Sequence, residues 1–146
     1  MRLELTDEGC SLQLPDSRFD WKATDDLTED LSPEGSGGML PALYLWRYIA
    51  VHGPDEFGEV YYQGTAPFPD REEAVDVLVG IRQGLEARFF YDPGSSQLVG
   101  MEAWADPAAD PCEIRFSQYQ PNSIAPGRIE VLYGDTPFAV LAIDVP

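Results

Sequence analysis

Few side chains in this sequence are of types and spacing that do chemistry. Ser36, inside Pro33-Glu34-Gly35-Ser36-Gly37-Gly38, is the clearest candidate nucleophile. A serine nucleophile needs a histidine base that a carboxylate orients. The only histidine, His52, follows at the far end of an apolar stretch. Ser36 therefore reads as the cap of a helix that starts just after it. The same glycine-rich start could offer free N–H groups to an anion. Asp25, Asp26, Glu29, Asp30 and Glu34 precede it, however, and their charges oppose an anion. The acidic run Asp25-Asp26-Leu27-Thr28-Glu29-Asp30 has oxygen ligands for calcium but lacks the spaced acids and glycine of an EF-hand loop. It reads as solvated loop. His52 closes the apolar stretch, where an imidazolium gains from the helix dipole. Among so many acids no pair stands out for glycoside hydrolysis. Cys10 and Cys112 share no metal-binding spacing and read as two buried free thiols, with a long-range disulfide as the alternative if the domain is exported. These residues define no catalytic centre, metal site or cofactor site.

Charge narrows the partners. Acids outnumber bases 26 to 9, giving a formal net charge of −17 over 146 residues. Such a chain repels phosphate backbones and anionic headgroups, so nucleic acid is not an expected partner. No apolar run approaches the roughly 18 residues of a membrane span. The length suits one domain, residues 1–146, with a single core. The first residues lack a secretory signal, and strand-like residues follow Met1 at once, which suits a fragment of a longer chain. The expected compartment is the cell envelope if a signal lies upstream, and the cytoplasm otherwise.

Period-two patterning dominates the elements. Residues 2–6 and 10–14 predict a hairpin with Leu3, Leu5, Leu12 and Leu14 inward. Residues 15–38 are acidic and punctuated, predicting an irregular cover anchored by Phe19, Trp21, Leu27 and Leu31. Residues 38–51 predict one main helix, stopped by Gly53 and Pro54. Its apolar surface is so broad that it must be buried against a sheet. Strands are expected at 56–68, 72–82, 85–92, 97–105, 111–120, 127–134 and 137–145. The expected fold is α+β: a curved antiparallel meander of about six to eight strands, half-barrel-like, packed on the helix.

Two of these strands flank the turn Asp92-Pro93-Gly94-Ser95-Ser96-Gln97 and are apolar on both faces. A sheet with one wet face alternates more cleanly. The second apolar face needs a cover, which could be the helix, a ligand or a partner. The expected binding surface is therefore Trp46, Phe89, Phe90, Tyr91, Met101 and Trp104.

Residues 57–144 carry a further pattern. Phe90-Tyr91-Asp92-Pro93 ends one strand and Leu98-Val99 opens the next. Phe116 precedes Tyr119 in a third, and Pro126 to Val131 leads into the edge. This order resembles the C-terminal half of the LolA/LolB-like lipoprotein-carrier superfamily. The resemblance implies a half-barrel that holds a helix or an acyl chain, hence a noncatalytic module for an apolar ligand or protein partner. Such a module would be an accessory domain of a larger bacterial envelope protein. A lipid or lipoprotein carrier proper is the alternative, and a hydrolase using Ser36 or an acidic pair ranks third.

Overall fold

The structure is a computed structural model that describes residues 2–29, 31 and 33–143. It opens with three short strands, β1 (Arg2–Leu5), β2 (Gly9–Gln13) and β3 (Arg18–Lys22). They form an antiparallel sheet in the order β1-β2-β3. Thr6 shapes the first turn, its hydroxyl accepting the amides of Glu8 and Gly9. The pairing sets Leu3 opposite Leu12 and Leu5 opposite Cys10. Leu12 is buried, and Leu3, Leu5 and Leu14 pack on the core, as the hairpin pattern requires.

The third strand corrects the expectation of an irregular cover across residues 15–38. Phe19 and Trp21 alternate with Arg18, Asp20 and Lys22, and they pair with Leu12 and Cys10 of β2. Period-two alternation over five residues suffices once a neighbouring strand supplies the hydrogen bonds. The loop that follows is anchored by Leu27, which is fully buried, whereas Leu31 is 46% exposed and anchors little.

Helix α1 runs from Met39 to His52. Gly38 occupies the position before it with φ 99°, a left-handed conformation that glycine adopts without a Cβ penalty. Ser36, two residues further back, does the capping. Its hydroxyl accepts the amides of Gly38 (3.3 Å) and Met39 (3.0 Å) and donates to the Pro33 carbonyl at 2.6 Å. Gly53 ends the helix by donating its N–H to the Ile49 carbonyl. Pro54–Phe57 then makes one short turn, α2, before the next strand. That turn delays the strand expected at residue 56, because Phe57 is drawn fully into the core.

The remaining strands are β4 (Glu59–Ala66), β5 (Val75–Arg82), β6 (Leu85–Tyr91), β7 (Leu98–Trp104), β8 (Cys112–Ser117), β9 (Arg128–Tyr133) and β10 (Thr136–Ala142). All seven form one antiparallel sheet in sequential order, and the sheet is not closed. The last strand was expected to reach residue 145; residues 144 and 145 lie outside the described residues. Bulges fall between Tyr62 and Gly64, between Phe90 and Tyr91, and between Pro137 and Ala139. Each adds local twist and bends its strand.

Nine residues of α1 are buried, all but one of them between Met39 and Trp46. The helix is apolar almost all round because it lies between two sheets. From the small sheet, the Cys10 thiol donates to the Leu40 carbonyl and Trp21 packs edge-on against Tyr44 at 5.3 Å. From the large sheet come Phe89, Met101, Ile114 and Ile129, all fully buried, and Phe116, which stacks on Trp46 at 5.3 Å.

The opposite face of the large sheet has its own cover. Phe68, in the loop after β4, lies against Phe90 at 5.4 Å and joins Val75, Val77 and Val99 in a small separate cluster. Gly100 makes room for it: a Cβ there would sit 2.5 Å from the Phe68 ring. Beside this cluster the Arg88 guanidinium lies 4.9 Å from the Trp104 ring, a cation–π contact. The surplus apolar face legible in the sequence is thus covered by the chain's own loop.

Candidate functional site: a cavity between the helix and the sheet

A cavity of about 510 Å³ opens between the C-terminal half of α1 and the large sheet. The helix side contributes Trp46, Ile49 and Ala50, with Pro54 just beyond. The sheet side contributes Tyr62 from β4, Asp76 and Leu78 from β5, Tyr91 from β6 and Leu98 from β7. Strand register explains why these share one wall. Tyr62 pairs with Leu78, Asp76 with Tyr91, and Tyr91 with Leu98, so cross-strand partners point the same way. The bulge after Phe90 matters here. It leaves Val99 on the far side while Leu98 and Met101, three positions apart, both pack into the main core. Ser96, Gln97, Tyr119, Ser123 and Ile124 complete the rim from two loops.

About half of the lining residues carry polar side chains, and several of these are already engaged. The Tyr119 hydroxyl donates to the Leu98 carbonyl at 2.6 Å, locking the loop after β8 onto β7. The Tyr62 hydroxyl donates to an Asp76 carboxylate oxygen at 2.9 Å. Asp92 accepts the amide and hydroxyl of Ser95 and pairs with Arg71. These bonds hold its carboxyl below the usual range, the Ser95 contacts contributing most. Burial pushes the Tyr91 phenol up to about 12, and it raises Tyr119 further with help from the neighbouring Tyr91. The bond to Asp76 likewise holds Tyr62 above its ordinary value. All three phenols therefore stay neutral at physiological pH and present hydroxyls and aromatic faces.

Trp46 is the hinge of the region. It is only 7% exposed, and its indole N–H is buried without a hydrogen-bond partner among the described residues. On its other side a second cavity of about 550 Å³ lies between β1 and the last two strands of the large sheet, lined by Leu3, Leu5, Ile129, Leu141 and Ile143. One indole thus separates two apolar spaces.

The six residues expected to form a binding surface fall in three places. Trp46 and Tyr91 line the first cavity. Phe89 and Met101 are fully buried beneath the helix. Phe90 and Trp104 are on the far face, under Phe68 and Arg88 respectively. Residues not expected at the site include Tyr62, Asp76 and Leu78, while Leu98 and Tyr119 figure in the sequence only as part of the family pattern. Asp76 carried a signal, since an acid within Val75-Asp76-Val77-Leu78-Val79 interrupts an otherwise apolar strand.

The other candidates for chemistry do not line this cavity. Ser36 is fully buried and its hydroxyl is occupied by the helix cap. His52 is at the other end of α1, roughly 20 Å away along the axis at 1.5 Å per residue, where it meets Asp7 at 3.0 Å. Arg47 also pairs with Asp7. Together these contacts lower the Asp7 carboxyl, His52 contributing most. Cys10 and Cys112 are free and buried, and burial pushes each thiol up to about 12. Among the described residues no group of three or more His, Cys, Asp or Glu is arranged to hold a metal, and no helix is long and apolar enough to cross a membrane. No protein-family model matches the chain, and neither does any curated protein or solved structure.

Proposed function

We propose that this chain is a noncatalytic binding domain that receives a small, elongated apolar ligand between α1 and the large sheet. The observation that carries the reading is the 510 Å³ cavity, whose apolar wall of Trp46, Ile49, Leu78 and Leu98 is ringed by polar side chains that make up about half of the lining residues. Ligand sites typically measure about 300–1,000 Å³ and combine apolar walls with a few placed polar groups. Sheet and helix both belong to a single buried core, so the site is largely preformed and a guest would not have to pay for ordering it. The likeness of residues 57–144 to lipoprotein carriers, whose half-barrels hold acyl chains, points to the same class of guest. A role as an accessory domain of a larger envelope protein is part of this proposal.

Binding of phenylnaphthylamine, a neutral dye that brightens in apolar surroundings, tests it. Saturable binding of one dye per chain is expected at micromolar protein. Ala50→Trp, which places an indole in the cavity, should abolish it while the far-UV circular dichroism spectrum is retained. Dye binding that does not saturate, or that survives Ala50→Trp, overturns the reading.

A further inference from the structure

We propose that the cavity selects an amphiphile with a cationic head, such as an alkyl amine or quaternary ammonium, over neutral or anionic apolar molecules. This rests on the cavity being the ligand site and adds the chemistry of the head. The lining contains no Lys, Arg or His, and the neighbouring Arg71 is already paired with Asp92, so an anionic head entering it finds no free counter-charge. It does contain two carboxylates, and they are not equivalent. Asp92 is matched by Arg71. Asp76 has no cationic partner within ion-pair distance among the described residues. Its contact is the neutral Tyr62 hydroxyl, which leaves the rest of the carboxylate available as an acceptor.

Position and aromatic content fit the same head. Tyr62, which bonds Asp76, is 59% exposed, so this carboxylate lies towards the mouth while Trp46 and Leu98 line the interior. An alkyl tail would occupy the apolar interior and leave its charge beside Asp76. Tyr91 is the direct cross-strand neighbour of Asp76, and Tyr62 is on its other side. Aromatic faces beside a carboxylate are the means by which proteins hold ammonium groups, through cation–π attraction added to the charge pair. The overall charge of −17 raises the local concentration of cations and repels anions before any contact is made.

The test compares three probes with the same decyl tail, below the micelle-forming concentrations of the charged two and the solubility limit of the alcohol, on the full chain by isothermal titration calorimetry. Decyltrimethylammonium should bind at least about tenfold tighter than decanol, and decanoate weakest, since desolvated cation–π and charge contacts are each worth about a factor of ten. Asp76→Asn should bring the ratio of cation to alcohol affinity down towards one, with the circular dichroism spectrum confirming that the variant is folded. Equal binding of cation and alcohol, or tightest binding of decanoate, overturns the cationic head but leaves an apolar site standing. Failure of all three probes to bind overturns both the head and the cavity reading beneath it.

Discussion

Replacing Trp46 separates the parts of its contribution to the fold. Its ring stacks on Phe116 and is 7% exposed, while its N–H is buried with no partner among the described residues. Trp46→Ala loses the whole ring. Large aromatic truncations in a core cost about 3–5 kcal/mol, the lost stack included. Trp46→Phe keeps a ring that can stack. It gives up apolar area equivalent to about two methylenes, near 1.5 kcal/mol. It also removes an unsatisfied buried donor, whose desolvation costs about 1–3 kcal/mol. The two terms nearly cancel, so Trp46→Phe should fall within about 1 kcal/mol of the parent protein. Urea unfolding followed by far-UV circular dichroism reads this without relying on tryptophan emission. With slopes of about 1–3 kcal/mol per molar urea, Trp46→Ala should lower the midpoint by more than about 1 M and Trp46→Phe by less than half of that. If Trp46→Phe loses as much as Trp46→Ala, the indole N–H is satisfied in solution and the reasoning fails.

Other expectations follow from the same structure. Ser36→Ala removes the acceptor for two amides at the start of α1 and should cost about 1–2 kcal/mol in urea unfolding, the upper range for a helix cap; a loss below a few tenths would deny the cap. Glu102 faces Glu113 directly across β7 and β8, and its carboxyl is raised from 4.5 by burial first and by Glu113 second, with Arg88 opposing. A carboxyl whose folded value is raised weakens the fold as pH rises through that value, and the penalty vanishes below the unfolded value. Solvent screening at this half-buried position keeps the effect small. Glu102→Gln should therefore be more stable than the parent at pH 7 by only about 0.2–1 kcal/mol, and the gain should close below about pH 4; thermal unfolding at both pH values checks the sign. Both cysteines are buried thiols held near 12, so an aromatic disulfide reagent should label neither at neutral pH in the folded protein and both in denaturant. Rapid labelling of either in the native state would contradict the packing.

Much of the fold was legible because strand patterning is local. The strands from Val75 to Leu141 show their alternation within a few residues, and the turn formers between them leave antiparallel pairing as the short connection. The broad apolar surface of residues 38–51 announced burial, though not that a sheet would cover each side. β3 was missed because acids and a long polar loop surround Phe19 and Trp21, and only pairing with β2 organises them. The choice of Phe90 and Trp104 as binding residues assumed that the far apolar face needed the helix, a ligand or a partner as its cover. Phe68 and Arg88 fill that need from elsewhere in the chain.

By itself, then, the sequence determined the class of the fold, the place of the helix and the turns. Each depends on residue type and near neighbours. The tertiary structure alone decided the cavity. Its wall joins Trp46 to Tyr62, Asp76, Leu98 and Tyr119, residues brought together by strand register, a bulge and the seating of one helix. A one-residue change in that register would turn these side chains to the opposite face. For that reason the site is a property of the pairing of strands and not of any one stretch of chain.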